Sequence, residues 1–314
     1  MLKSTKNPVH EIKGLWNHEP YIKKYKETKY TLKNPEIEHI SNRLLTVKNL
    51  LNKHVKKNSK ILELGLGAGQ SAQKFLKDGY TYTGMDISSS LIKFARENNK
   101  NYIKKKKAKF LVGSMENNLP FKNETFDSVI IIGALQYVVN IDNCLKEIKR
   151  VMKKNGIFIL AQTNSFGINE LTTFNRIIQF IARVIFRENF MYSYSNTLKS
   201  IICETSKLKK KINIKGNEKW LENKFLNFGD YLPWSFKGKR RIFSYDRLKN
   251  LLKKNKLKCI EYDYGNVFFY KRKFKMFNFL ISVINLILNI LYKFIFLNFI
   301  LKRIGSSIIF VSKK

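Results

Sequence analysis

Cysteine, histidine and acidic residues are all scarce in this chain of 314 residues, and each scarcity excludes a class of protein. The three cysteines, Cys144, Cys203 and Cys259, are odd in number, far apart and without CxxC spacing, which argues against a disulfide framework or a zinc site. The four histidines share no pattern, so we expect no metal centre. The first residues contain no apolar stretch like that of a secretory leader, which predicts a cytoplasmic protein.

The shortage of acidic residues leaves a strongly basic chain, with 23 acidic against 60 basic residues and a net charge of +37. Such a charge is typical of proteins that bind nucleic acid or anionic lipid. However, only 11 of the 60 are arginine, and the lysines are scattered along a chain also rich in Asn, Ile, Phe and Tyr. A phosphate-binding surface should favour clustered arginine, so we attribute much of the charge to compositional drift. On this interpretation, the lysine-rich runs at 104–107 and 207–211 are solvent-exposed faces or loops.

Short apolar segments alternate with segments of helical periodicity through the middle of the chain. The alternation predicts a doubly wound parallel α/β sheet. The continuous Val/Ile run at 128–132 is typical of a strand buried on both faces. The predicted strands of this region are 60–64, 80–85, 109–112, 128–132 and 157–162, with a turn at Asn155 and Gly156 before the last of them.

The sequence divides into four regions. We expect an N-terminal helical cap at 1–58, a ligand-binding core at 59–163, a lid insertion at 164–240 and a C-terminal part of the fold at 241–314. Within the flanking regions, helices are predicted at 36–51, near 168–187 and at 244–254, and strands at 258–262, 267–270 and 306–312.

Residues 276–300 form a long apolar segment with one charge, Lys293, and basic flanks that include KRKFK before it. Its polar residues recur at spacings of three and four, which predicts a helix with one narrow polar stripe. Because a final strand follows, a single membrane span is disfavoured, and we expect peripheral contact with anionic headgroups. A helix packed on protein or on a partner is the alternative.

A glycine-rich turn, ELGLGAG at 63–69, directly follows the first predicted strand. A dinucleotide-binding fingerprint would require glycine at Gln70, whereas the third glycine is Gly69. Glu63 places a carboxylate at the ligand, which suits a cation better than a pyrophosphate. Asp86 ends the second strand, where an acidic side chain accepts hydrogen bonds from ribose hydroxyls. The pattern predicts a nucleoside ligand, with a helix N-cap as the alternative role of Asp86.

With these motifs the chain resembles the class I S-adenosylmethionine-dependent methyltransferases, in particular the branch that acts on small molecules and lipids. The resemblance covers residues 60–163 well, and a less specific match lies at 12–20. It implies a seven-stranded Rossmann-like sheet of order 3-2-1-4-5-7-6, with the last strand antiparallel. The segments that carry it are ILELGLGAG (61–69), GMDIS (84–88), GSMENNLPFKNETFD (113–127), IIIGALQYV (130–138) and LKEIKRVMKKNGIFIL (145–160).

The resemblance also implies a binding site for S-adenosylmethionine. The methionine part would lie over the glycine turn near Glu63, the ribose at Asp86 and the adenine at Ile87. Ser114 stands where many members have aspartate, although its hydroxyl can still accept a hydrogen bond from adenine. The complete implied set is Glu63, Gly65, Gly67, Gly69, Asp86, Ile87, Ser114 and Met115, with Gly133 at the sulfonium.

The methyl acceptor is less constrained by the sequence. No general base stands out, and His18 and Tyr137 are the candidates. The sequence at 133–136 lacks an Asn-Pro-Pro-Tyr tetrad, which disfavours methylation of amide-type nitrogen. Six aromatic residues are candidates for a lid that shields the sulfonium: Trp16, Tyr21, Tyr25, Trp220, Tyr231 and Trp234.

The expected function is therefore methyl transfer from S-adenosylmethionine to oxygen or carbon of a small or lipid-linked acceptor at the bilayer surface. The net charge keeps an RNA methyltransferase as the alternative. A binding or scaffold protein without catalytic activity is a third hypothesis, which the intact glycines and Asp86 disfavour.

Overall fold

The computed structural model describes residues 13, 16–17, 38–138, 140–164, 243–265, 278–291 and 303–314. Its strands are β1 (Lys60–Leu64), β2 (Thr81–Asp86), β3 (Ala108–Val112), β4 (Phe126–Ile132), β5 (Met152–Thr163), β6 (Lys258–Asp263) and β7 (Ser307–Lys313). Its helices are α1 (Glu38–His54), α2 (Gln70–Lys77), α3 (Ser89–Asn98), α4 (Lys100–Lys104), α5 (Ile141–Val151), α6 (Tyr245–Lys254) and α7 (Asn278–Leu291). The predicted helices near 168–187, the strand at 267–270 and nearly all of the lid at 164–240 lie outside the described residues.

The seven strands form one sheet in the order β3-β2-β1-β4-β5-β7-β6. The first five strands pair in parallel, and β7 is antiparallel to both of its neighbours, β5 and β6. This topology confirms the expected order and the antiparallel last strand. Since β5 and β6 are both antiparallel to β7, their carboxyl ends lie at the same edge of the sheet as those of β1 and β4.

Alternate residues of each central strand enter opposite hydrophobic layers. In β4, Val129 and Ile131 pack with α5 and α6, whereas Ile130 packs on the other face with α1, α2 and α3. All three side chains are fully buried. Burial on both faces is what the Val/Ile run predicts for a central strand of a parallel sheet.

The fifth strand differs from its prediction. The turn predicted at Asn155 and Gly156 lies inside β5, which begins at Met152, and Asn155 has a φ of 62°. Phe126 of β4 pairs with Met152 of β5, and the next pair is Ser128 with Ile157. Between these pairs the chain advances by two residues on β4 and by five on β5. The turn residues are therefore absorbed as an irregularity in one long strand, because pairing with β4 resumes immediately after them.

Two hydrogen-bonded anchors organise the carboxyl edge of the sheet around β5, β6 and β7. The buried amide of Asn164, just after β5, donates to the backbone oxygens of Arg303 and Gly305 at 2.8 Å. The hydroxyl of Tyr264, just after β6, donates to Asn289 Oδ1 of α7 at 2.9 Å. The bond from Tyr264 places Asn289 of α7 near the edge where the parallel strands end.

The described portion of the apolar segment is α7, and the rest of 276–300 lies outside the described residues. No helix in the part of the chain that the structure describes combines the length and the hydropathy that a bilayer span requires.

Candidate active site

A cavity of about 140 Å³ opens between the carboxyl ends of β1 and β4. Helices leave these two strands toward opposite faces of the sheet, which makes this gap the topological switch point of the fold. Eight of the nine cofactor-binding positions predicted from the sequence line the cavity, and so does the candidate base Tyr137. The eight are Glu63, Gly65, Gly67, Asp86, Ile87, Ser114, Met115 and Gly133.

The glycine turn after β1 forms one wall. Gly65 has a φ of +76°, and a Cβ there would lie 2.3 Å from the Cβ of Ala134. No side chain fits at this position, so the backbone itself faces the cavity. Gly69 is not among the residues that line the cavity. It is the N-cap residue of α2, with a φ of 79°, and it packs against Ala95 of α3. A cofactor contact by Gly69 stays a prediction.

Asp86 holds the glycine turn in place. Its Oδ2 accepts from the N–H of Gly67 at 2.8 Å, and its Oδ1 accepts from the N–H of Ser88 at 2.9 Å. Burial raises the pKa of Asp86, and these two backbone donors oppose the rise. Each carboxylate oxygen retains a lone pair for a ribose hydroxyl. The N-cap of α3 is Ser88, which accepts from the N–H of Leu91, so capping is not the role of Asp86.

Glu63 is a buried carboxyl group beside the turn. The hydroxyls of Ser71 and Tyr82 donate to its Oε2 at 2.5 and 2.8 Å, and Oε1 has no hydrogen bond among the described residues. Burial raises the pKa of Glu63 to about 7, and the charge of Asp86 adds to the rise. Glu63 is therefore only partly ionised at neutral pH. A cation in the cavity would favour its ionised form.

The opposite wall is formed by the segment after β3. The hydroxyl of Ser114 accepts from the N–H of Glu116 at 3.3 Å, so it already acts as a hydrogen-bond acceptor in this segment. The Met115 methyl group lies 3.1 Å from the position of a Gly65 Cβ and also packs against the hydrophobic core. Met115 thus contributes both to the core and to the cavity surface.

Two aromatic rings complete the cavity. Trp16 and Tyr137 meet edge to face, with ring centroids 5.3 Å apart. The Ser88 hydroxyl donates to the Trp16 carbonyl at 2.6 Å, which fixes this N-terminal residue at the start of α3. Of the six aromatic lid candidates, Trp16 lines the cavity, and the other five lie outside the described residues, as does His18.

Arg43 of α1 also lines the cavity, and it lies outside all of the sequence motifs described above. Its side chain is 4% exposed, and its Nη1 donates to Thr163 Oγ1 at 2.7 Å. A signal is present in the sequence: Arg43 precedes the buried Val47 and Leu50 by four and seven residues and so lies on the apolar stripe of its helix.

Comparison with known proteins agrees with this geometry. Residues 62–160 match the family model described as "Methyltransferase domain". Residues 62–160 therefore form a methyltransferase domain. A SAM-dependent methyltransferase of Methanosarcina mazei shares the fold, with a TM-score of 0.50 and 15% identity over 84% of this chain and 96% of the other.

The curated relatives of this methyltransferase domain differ in the acceptors that they are named for. Demethylmenaquinone methyltransferase of Tropheryma whipplei is 28% identical over 103 residues, 32% of this chain and 41% of the relative. The 18S rRNA (guanine-N(7))-methyltransferase bud23 of Schizosaccharomyces pombe is 37% identical over 82 residues, 26% of this chain and 29% of the relative. The chain thus spans less than half the length of these relatives.

The cavity fits S-adenosylmethionine, the cofactor of this domain class. The carboxyl of Glu63 suits the amine of the methionine part, and the turn at Gly65 and Gly67 exposes backbone to it. Asp86 suits the ribose hydroxyls, and the rings of Trp16 and Tyr137 offer aromatic faces to a sulfonium cation.

The glycine turn gives a matched pair of variants. Gly65→Ala would place a methyl group against Ala134, and relief of this overlap moves the turn. We expect affinity for S-adenosylhomocysteine to fall by roughly tenfold or more. Gly79 has a φ of +94° and nothing within 4 Å of an added Cβ, so Gly79→Ala should leave the affinity unchanged. Titration calorimetry measures the affinity of both variants for S-adenosylhomocysteine. Equal affinities would contradict the assignment of the glycine turn to the cofactor site.

Glu63 predicts a pH dependence of cofactor binding. A cationic ligand binds the ionised carboxylate, and below a pKa of about 7 this binding must first remove a proton. We expect affinity for S-adenosylmethionine to fall by up to about tenfold per pH unit below pH 7 and to level off above it. Glu63→Gln keeps an oxygen for Ser71 and Tyr82 and should remove the dependence. A profile that is the same in both proteins would exclude Glu63 as its source.

Proposed function

We propose that this protein transfers the methyl group of S-adenosylmethionine to oxygen or carbon of a small or lipid-linked acceptor at a membrane surface. The observation that carries the transfer is the cavity at the switch point, where Glu63 and Asp86 flank a glycine turn that admits no side chain. The acceptor class and the membrane contact rest on separate observations.

The residues of the cavity bind and orient the reactants. When bound, S-adenosylmethionine would supply a methyl group already activated by its positively charged sulfur, which would leave as a neutral thioether. Glu63 would hold the amino-acid part of the cofactor and Asp86 its ribose, on either side of the sulfur, which would fix the direction of approach. Trp16 and Tyr137 cover the site against water. Tyr137 is the candidate base for a hydroxyl acceptor, and it would take the proton as the phenolate and return to the neutral phenol.

The orientation of α7 supports a lipid surface. Asn289, one residue of the polar stripe, accepts a hydrogen bond from Tyr264 of the domain. Its large apolar side chains are exposed instead, with Phe279 80% and Leu286 60% accessible. A helix that packs on its own domain in water has the opposite orientation. The exposed apolar side chains of α7 are Phe279, Leu280, Leu286, Ile287 and Ile290.

Position and charge favour a bilayer as the occupant of this face. Tyr264 places α7 at the edge of the sheet where the cavity opens, so a bound membrane would lie near the acceptor's entrance. The basic segment 271–275 precedes the helix and suits anionic headgroups. Arg303 follows the apolar segment 276–300 in the sequence. It contributes less to the attraction of headgroups than its charge suggests, because its Nε is paired with Asp246 Oδ2 at 2.9 Å.

The basic run at 104–107 does not support RNA as the acceptor. It precedes β3, whereas the cavity lies beyond the carboxyl end of this strand. The five residues of β3 span roughly 16 Å, so the run lies at the far edge of the sheet. We therefore do not propose RNA as the acceptor, and the RNA fraction of the methyl-transfer experiment tests this choice.

The acceptor class is tested by the transfer of labelled methyl from S-adenosylmethionine into cell extract. The products are separated into lipid, small-molecule, RNA and protein fractions, and Asp86→Ala serves as the inactive control. We expect label in the lipid or small-molecule fraction that disappears in the variant. Label confined to RNA would contradict the proposed acceptor class. Absence of label from every fraction would favour a binding or scaffold protein.

The membrane contact is tested by cosedimentation with vesicles that contain anionic phosphatidylserine. The double variant Phe279→Ser/Leu286→Ser removes two exposed apolar side chains, and we expect vesicle affinity to fall by roughly tenfold or more. Leu45→Ser is the matched control, because Leu45 is 50% exposed on α1. Binding that is equal in the double variant and the control would exclude α7 as the contact.

A further inference from the structure

A groove of about 320 Å³ lies on the surface of α3 and α4. It shares no lining residue with the cavity between β1 and β4. Four of its six lining residues are basic, and they follow one another along the two helices at spacings of three or four residues. The groove is lined by Lys93, Arg96, Glu97, Lys100, Ile103 and Lys104.

The surface around this groove has a strong excess of positive charge. Residues 93–109 contain eight basic side chains, all exposed, and one acidic side chain, Glu97. None of the eight is paired with a carboxylate among the described residues, whereas Lys48 and Lys153 each pair with an aspartate. Unpaired like charges at this density attract a partner that carries several negative charges.

The guanidinium of Arg96 has a fixed orientation in the groove. Its Nε and Nη2 both donate to the backbone oxygen of Phe110 in β3, at 3.2 and 2.6 Å, and its Nη1 has no hydrogen-bond partner among the described residues. Ile103 is 36% exposed and adds an aliphatic surface to the same groove. A planar cation beside an apolar side chain is a surface on which an unpaired nucleobase stacks.

These features favour single-stranded RNA over other polyanions. The lysines suit phosphates, and Arg96 with Ile103 suits a base, which an acidic peptide lacks. Unpaired bases are a regular feature of RNA loops and bulges, whereas DNA is mostly duplex.

The position of the groove disfavours a lipid bilayer. The groove is next to β3, whereas α7 contacts Tyr264, which follows β6. These two strands are the opposite ends of the sheet, six strand spacings or roughly 29 Å apart. A membrane bound to α7 would therefore leave the groove free for another partner.

We propose that the groove on α3 and α4 docks single-stranded RNA, with phosphates at Lys93, Lys100 and Lys104 and a base on Arg96. The RNA is a docking partner and not the methyl acceptor, because α3 begins at the edge where the cavity opens and runs back toward the opposite edge. The docking does not depend on the identity of the methyl acceptor.

Fluorescence anisotropy with a labelled oligouridine of about 15 nucleotides measures the docking on the full chain. The groove variant is Lys93→Gln/Lys100→Gln/Lys104→Gln, and we expect it to lose roughly tenfold or more in affinity. The slope of log affinity against log salt should fall by about 2, because each phosphate contact contributes about 0.7. The three lysines are exposed and unpaired, so we expect an unchanged Tm.

A matched control removes the same charge from the other end of the sheet. The variant Lys249→Gln/Lys253→Gln/Lys256→Gln substitutes three exposed lysines in α6 and just after it. We expect it to lose less than about threefold in affinity for the oligouridine. Equal losses in the control and the groove variant would mean that RNA responds to net charge alone, and would overturn the inference.

Arg96→Lys separates the base from the phosphates, because it keeps the charge without the planar guanidinium. We expect it to lose roughly threefold or more in affinity for the oligouridine and none for inorganic polyphosphate of equal charge. Equal losses for both ligands would contradict base stacking on Arg96. Polyphosphate or polyglutamate that binds the wild type as tightly as the oligouridine would also overturn the assignment to RNA.

Discussion

The close approach of the β1 turn to Ala134 is the constraint on which the site depends. With no Cβ at Gly65, the turn comes against the segment after β4 and leaves its backbone facing the gap between the two strands. Asp86 accepts from the N–H of Gly67 and so ties the same turn to the end of β2. Three strand ends are thereby joined around one cavity, and the groups that would bind a nucleoside and an amino acid converge there.

Charge is distributed in this cavity as a ligand with both signs requires. Two buried carboxyl groups, Glu63 and Asp86, have raised pKa values because burial disfavours their charged forms. Arg43 is buried in the same wall without a counter-ion among the described residues. The two buried carboxyl groups are costly in the unliganded protein, and each would gain a partner from the cofactor, Glu63 from the amine and Asp86 from the ribose hydroxyls. Binding energy is thus available for orientation of the reacting methyl group.

The family resemblance implied the sheet order, and most positions that line the cavity could be predicted because their motifs are local in sequence. Alternation of strands and helices, the glycine turn and the acid at Asp86 are contiguous patterns. The contact of Arg43 with Thr163 joins residues 120 positions apart, so no local motif reveals it. The orientation of α7 likewise depends on Tyr264, which lies 25 residues before Asn289. Spacing shows that α7 has two faces, but not which one meets the domain.

The most direct test of the cofactor assignment is a crystal structure of the protein with S-adenosylhomocysteine. We expect the ligand to lie in the cavity between β1 and β4, with the ribose hydroxyls on Asp86 and the adenine against Ile87. The amino-acid part should cover the glycine turn beside Glu63. A ligand bound elsewhere, or in the cavity with the ribose away from Asp86, would contradict the assignment of this site.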